Sequence, residues 1–186
     1  PFTKVSQIKT IETIREYLTT EEIRAIEQAE TRATETKRAF LFACYTGLRF
    51  SDIKNLKYED IKDDIIQIKM IKTSSFIRIP LNQQSKKYLY KDKNILPLPQ
   101  TKVFNLSMAT NCNESLKRLF KKAGIKKNKI SFHLSRHTFA TLSLNLGIDI
   151  YTVSKLLGHK DLNTTQIYAK LLDSAKIEAM AKFNNL

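Results

Sequence analysis

The sequence predicts a mainly α-helical chain carrying one small antiparallel β-sheet, an α+β domain. Three observations lead there. Apolar residues recur at helical spacing through most of the 186 residues. All four glycines, Gly47, Gly124, Gly147 and Gly158, fall just beyond such stretches, where helices stop. The only isoleucine-rich, partly alternating segments are two short runs between residues 65 and 80.

In chain order, residues 1–18 read as a linker and residues 19–186 as one domain. Thr19 with Glu22 three residues on forms a capping box, so a helix opens there and carries Ile23, Ile26 and Ala29–Ala33. Thr36–Tyr45 is apolar nearly all round, which predicts a helix inside the core. Gly47 ends it as a left-handed cap, and Ser51 is expected to cap a short helix through Ile53–Leu56. Ile65–Met70 and Phe76–Pro80 flank a polar turn, giving a hairpin with Lys72 near its tip. Asn82–Lys91 reads as a helix, and Ile95–Pro99 as extended, since a residue before proline is pushed out of the α region. Ser107–Ala123 is amphipathic, with Leu116, Leu119 and Phe120 on one face. The last third is helical: Leu134–Leu146, then Ile150–Leu157 capped by Asp149, then a helix capped by Asn163 or Thr164 that carries Tyr168. Asp173–Phe183 closes the chain, with Ile177, Met180 and Ala181 on one side and no partner for that side within the chain.

Composition narrows the function. Hydrophobic residues make up 42%, enough for a core, and no window is apolar enough to span a membrane. Two cysteines, Cys44 and Cys112, give neither a disulfide framework nor metal spacing, which predicts a soluble protein of a reducing compartment, the cytoplasm. Net charge is +14, while residues 1–35 carry seven acids against five bases, so the positive excess lies after the first helices. Lys117, Arg118, Lys121, Lys122, Lys126, Lys127 and Lys129 crowd one stretch with no acid among them. A solvated helix interleaves acids with its lysines, so this stretch predicts a surface facing phosphates, and a polyanion as the partner.

All three histidines, His133, His137 and His159, lie within 27 positions. His133 and His137 have the i,i+4 spacing of two metal ligands, but Arg136 stands between them and no glutamate accompanies the pair, so a zinc site is rejected. A phosphate site fits better. Taken singly, Arg49 also reads as an ion-pair partner of Asp52, Arg136 as a helix-surface charge and Tyr168 as a core ring. Guanidinium groups at Arg49 and Arg136 nevertheless match phosphate oxygens bidentately. With imidazole donors they neutralise the charge of a pentacoordinate phosphorane, a role that a divalent ion often fills. A tyrosine hydroxyl, with a free pKa near 10, attacks near pH 7 only with a base or a strong positive field, and a lysine at a hairpin tip can protonate the leaving alkoxide.

These residues carry a resemblance. Thr46-Gly47-Leu48-Arg49-Phe50-Ser51-Asp52, His133-Leu134-Ser135-Arg136-His137, Leu156-Leu157-Gly158-His159 and Thr164-Thr165-Gln166-Ile167-Tyr168 resemble, in order and spacing, the signature boxes of the tyrosine recombinase (phage integrase) family. Lys72 with the strand after it resembles the hairpin lysine of that family. The resemblance implies the catalytic-domain fold of these enzymes, with Arg49, Arg136 and His159 binding the scissile phosphate. Tyr168 would be the nucleophile that forms a 3′-phosphotyrosyl bond, His133 its base and Lys72 the general acid. Asp52 would orient the site, and His137 would pack or hydrogen-bond beneath Arg136. No cofactor or metal is implied. Residues 1–18 would then lead from an N-terminal core-binding domain, and residues 173–186 would dock on a neighbouring protomer. The full-length protein would form a tetramer on DNA, with accessory DNA-bending proteins as further partners, and the domain alone would be monomeric and nucleoid-associated. Integration and excision of a mobile element is the first expectation. Chromosome-dimer resolution of the Xer kind is the alternative, and a type IB topoisomerase-like activity or a non-catalytic DNA-binding regulator lies further off.

Overall fold

The computed structural model describes residues 15–91, 97–169 and Met180. The expected helix Asp173–Phe183 therefore lies outside the described residues except for Met180, as does most of residues 1–18. Eight α-helices are described: α1 (Thr20–Gln28), α2 (Thr34–Thr46), α3 (Phe50–Asn55), α4 (Gln83–Lys86), α5 (Ala109–Lys122), α6 (Leu134–Asn145), α7 (Ile150–Leu157) and α8 (Asn163–Ala169). Between α3 and α4 lies a sheet of three strands, β1 (Ile61–Lys62), β2 (Ile65–Lys69) and β3 (Phe76–Pro80), antiparallel in the order β1-β2-β3.

The helix ends follow local chemistry where the sequence encodes it locally. Thr19 accepts from the Glu22 N–H and Glu22 returns the bond to the Thr19 N–H, a complete capping box. Asp149 accepts from the Thr152 N–H and caps α7. Gly47 ends α2 at φ 68°, where an added Cβ would also lie 2.5 Å from the Phe139 ring. Left-handed backbone and close approach together require glycine there.

Other ends differ from the sequence reading. Ser51 does not cap α3; Arg49 occupies the N-cap position, and the Ser51 carbonyl accepts from Asn55 instead. α1 stops at Gln28, and Ala29 turns extended. The helix expected over residues 82–91 is cut to one turn. Asn82 caps it as expected, but the carbonyls of Tyr88 and Leu89 turn toward Arg38, which holds them at 2.9 and 3.0 Å. β1 was not legible in the sequence. It exists because Asp63 and Asp64 both adopt positive φ, 49° and 60°, and close a two-residue hairpin into β2. Asp161, rather than Asn163 or Thr164, accepts from the backbone N–H that opens α8.

The core is built around α2. Phe40 meets Phe120 and Phe132 edge-on, each at 5.7 Å between ring centroids, and Phe42 lies 5.1 Å from Phe104. Leu18, placed in the linker by the sequence reading, is a fully buried core residue, and its N–H donates to Thr138 Oγ1 at 3.0 Å. The chain thus joins the domain before residue 19. α6 lies between α2 on one side and α7 and α8 on the other. Its buried Ser135 and Thr138 hydroxyls bond to carbonyls at the start of their own helix, so they cost little to bury. This layering brings residues from α3, α6, α7 and α8 to one place.

Candidate active site

Arg136 is the centre of the site and is only 2% exposed. Nη1 donates to the Gly47 carbonyl at 2.7 Å and Nη2 to the Leu157 carbonyl at 2.5 Å. Both carbonyls belong to helix C-termini, those of α2 and α7, where unpaired carbonyls and the negative end of the helix dipole favour a cation. Burial, and then repulsion from Arg49, lowers its pKa to about 9, so it remains a cation at pH 7. Five N–H groups less the two engaged leave three for an anion. A surface role for Arg136 is excluded by this burial.

Arg49 stands beside it, half-buried. Its Nη1 points to the Met70 sulfur at 3.5 Å. Burial works against its charge, and Asp52 and Tyr168 offset that. Met70 packs against Gly158, whose φ is 60°; a Cβ there would collide with the Met70 sulfur. Gly158 therefore fixes the support of Arg49 as well as the turn that presents His159. Asp52 is 3% exposed. Its Oδ1 accepts from the Ile71 N–H at 2.9 Å, at the start of the turn that carries Lys72, and its Oδ2 has no hydrogen-bond partner among the described residues. The carboxylate thus joins the arginine side of the site to the hairpin. Lys72 is exposed in that turn, and its charge is felt at His133.

The imidazoles form a chain. His133 is exposed and meets the His137 ring edge-on at 4.6 Å between centroids. His137 Nδ1 lies 2.8 Å from the Tyr168 hydroxyl. The structure adds a contact that the sequence reading lacked: His137 holds the tyrosine, and His133 is one ring further away. Tyr168 is 2% exposed, its ring packed with Ala140, Leu144, Val153 and Leu157. Burial raises its pKa, and the charges of Arg136, Arg15 and Arg49 oppose that rise. His159 Nδ1 lies 2.7 Å from the buried Thr165 hydroxyl. When Thr165 donates in this pair, the neutral imidazole carries its proton on Nε2, the tautomer that donates to a phosphate oxygen.

Burial first, then repulsion from neighbouring cations and imidazoles, lowers the half-buried His137 and His159 from 6.5 to about 4. His133, whose ring edge is open to solvent but whose remainder is desolvated beside Arg136, Arg49 and Lys72, is lowered likewise. They are neutral at pH 7. The sign for stability follows. The unfolded chain takes up protons below about pH 6.5 that the folded rings refuse until about pH 4, so stability falls as pH is lowered through that window. Thermal melts between pH 7 and 4 check this, with His137→Asn expected to flatten the curve and an unchanged slope counting against it.

The basic residues of α5 and the loop after it, up to Lys127, do not line this cluster, whereas Lys129 shares a cleft with His133 and His137. Lys117 pairs with Glu114 at 2.7 Å, an acid one turn before the stretch that holds none. Arg118 donates to Ser115 at 3.2 Å, and Lys121, Lys122 and Lys126 are exposed. Lys127, expected to face DNA, is instead tied to Glu22 at 2.8 Å and is mostly buried. A partner 105 residues away cannot be read from local composition. Sequence reasoning missed Arg15, Met70 and Thr165, which touch or charge the site only through the fold. No helix among the described residues is long and apolar enough to cross a membrane, and no three His, Cys, Asp or Glu side chains among them are grouped to hold a metal.

The sequence profile described as the phage integrase family matches residues 16–175. Tyrosine recombinase XerA of Pyrococcus furiosus is 31% identical over 182 residues, covering 94% of this chain and 64% of the relative, and XerA of Saccharolobus solfataricus is 35% identical over 147 residues, covering 76% and 47%. The chain therefore spans about half to two thirds of the length of these relatives. A crystal structure of XerA recombinase superposes with a TM-score of 0.71 at 28% identity, covering 98% of this chain and 66% of that one. A lambda integrase dimer bound to a COC′ core site superposes with a TM-score of 0.70 at 26% identity, covering 88% and 62%.

Proposed function

Because this chain belongs to the phage integrase family, a family of tyrosine recombinases, we propose that it cuts and rejoins DNA strands through a covalent bond between Tyr168 and a 3′-phosphate. The observation that carries the reading is the buried Arg136, with spare N–H groups in the electric field shared by Arg49, His159 and Tyr168. Arg136, Arg49 and His159 bind the scissile phosphate. Tyr168 Oη attacks phosphorus as its proton passes to an imidazole. His137 is the ring at hydrogen-bond distance in the stored position, and His133 is the exposed ring near Lys72. The bond from phosphorus to the 5′-oxygen breaks, and Lys72 protonates the leaving alkoxide. Attack by a 5′-hydroxyl on the phosphotyrosine reverses these steps and reseals the strand, because the bond energy is kept in the adduct. No cofactor takes part, since the cations do the work of a metal ion.

In the whole protein we place this domain in a Xer-like recombinase that exchanges strands in a tetramer on double-stranded DNA, in the cytoplasm at the nucleoid. Residues 1–18 lead from a core-binding domain, and residues 173–186 dock on a neighbouring copy. The likeness to lambda integrase favours a second reading, integration and excision of a mobile element, in which accessory DNA-bending proteins take part.

Incubating the chain with nicked suicide duplexes in EDTA tests the chemistry. A denaturing gel is expected to show a protein–DNA adduct with the DNA joined through its 3′-phosphate. Absence of the adduct on duplexes that the protein binds, or a 5′ linkage, overturns the reading. Sequencing the trapped DNA identifies the cut site. Strand exchange between two duplexes separates a recombinase from a topoisomerase-like enzyme, which relaxes supercoils without synapsis.

A further inference from the structure

The reaction uses one wall of a cleft whose other wall has no assigned role. This cleft, of about 370 Å³, is lined by Arg15, Glu16, Lys129, Ser131, His133 and His137, among others. Glu16 is the only acid lining it among the described residues, and its carboxylate is already engaged. Oε1 accepts from the Asn128 N–H at 3.1 Å and from Asn128 Nδ2 at 3.2 Å, and Oε2 accepts from the Lys129 N–H at 3.1 Å. Those bonds hold its pKa down, so Glu16 is a carboxylate at neutral pH, occupied with the backbone. Two residues on, Leu18 is buried and bonded to Thr138. The backbone of Arg15 is thus fixed from the side of the domain while its side chain stays exposed.

What remains facing the cleft is positive. Arg15 and Lys129 line it with no uncommitted acid among the described lining residues, and the Ser131 hydroxyl adds a neutral donor. The charge of Arg15 reaches Tyr168, His137 and His133. His133 is a wall of this cleft and also lies in the field of Arg136, Arg49 and Lys72, so cleft and phosphate site are adjacent. Two cations converging on a polar cleft match a singly charged phosphodiester.

We propose that Arg15 and Lys129 bind a second DNA phosphodiester beside the scissile one, and that Glu16 is the positioning residue that holds Arg15 at this cleft. The proposal rests on the reading that the site binds DNA. It also gives the segment entering the domain a direct grip on the same strand that the site cuts.

Binding of the full chain to a labelled mixed-sequence duplex, measured against salt, tests it. Each neutralised phosphate contributes about −0.9 to the slope of log K against log salt. Arg15→Ala is expected to make the slope shallower by about 0.9, Lys129→Ala likewise, and Arg15→Lys to restore it, since a point charge suffices for a phosphate contact. Glu16→Gln is the discriminating variant. It removes an acid, so a generic basic surface would bind DNA more tightly and with no shallower slope. Here the amide NH₂ would oppose the N–H donors of residues 128–129 and release the segment, so binding is expected to weaken and the slope to become shallower. An unchanged slope in Arg15→Ala, or tighter binding by Glu16→Gln, overturns the proposal. A wild-type affinity that is nearly independent of salt instead overturns the DNA reading beneath it.

Discussion

Tyr168→Phe is expected to bind DNA as the wild type does and to form no covalent adduct. The substitution removes the only atom assigned to attack phosphorus and leaves the ring in its apolar seat between α6 and α7. Its structural cost is one hydrogen bond to a half-buried imidazole, about 1 kcal/mol, because water can reach His137 when the hydroxyl is gone. A melt close to that of the wild type together with a blank lane on a denaturing gel is therefore the expected pair of results. An adduct that persists would assign the nucleophile to another residue.

Arg136→Ala is expected to damage both reaction and fold. Removing a donor that stabilises the transition-state charge costs on the order of 10²–10³ in cleavage rate. The Gly47 and Leu157 carbonyls would also lose their buried partner, at about 1–3 kcal/mol for each group left unpaired. Arg136→Lys separates the two losses. It keeps a charge in the same place but not the planar fork, so it cannot hold two carbonyls and two phosphate oxygens at once. Single-turnover cleavage and thermal melts on both variants check this. Cleavage at the wild-type rate by a folded Arg136→Ala would remove the arginine from the reaction.

What could be read in the sequence follows the range of the forces involved. The ends at Thr19, Gly47 and Asp149 depend on atoms within a few residues, and they form as read. The hairpin β2–β3 likewise follows from its pattern. The shortening of α4 depends on Arg38, some fifty residues away, reaching two of its carbonyls. The signature boxes named the polar side chains of the site, but not their pairings. His137 and Tyr168 are 31 residues apart, and only packing α8 against α6 sets which imidazole meets the hydroxyl. Tyr168 was legible either as a core ring or as a nucleophile, and it is placed as a core ring whose hydroxyl touches a base. Arg15 lay in a stretch read as a linker, and nothing local marks Glu16 as a clamp.

Thr165 and Tyr168 lie one turn apart on the inner side of α8, and each is held by one histidine. A rotamer change at Tyr168 alone would free only one of these clasps, whereas a shift of the helix would open both. Two hydrogen bonds of about 1 kcal/mol each bias the stored position by roughly thirtyfold before packing is counted. Packing of the buried Tyr168 ring adds to that bias, so phosphate contacts would have to offset both. The same displacement would release Thr165 from His159, so the tautomer of His159 and the exposure of Tyr168 would change together.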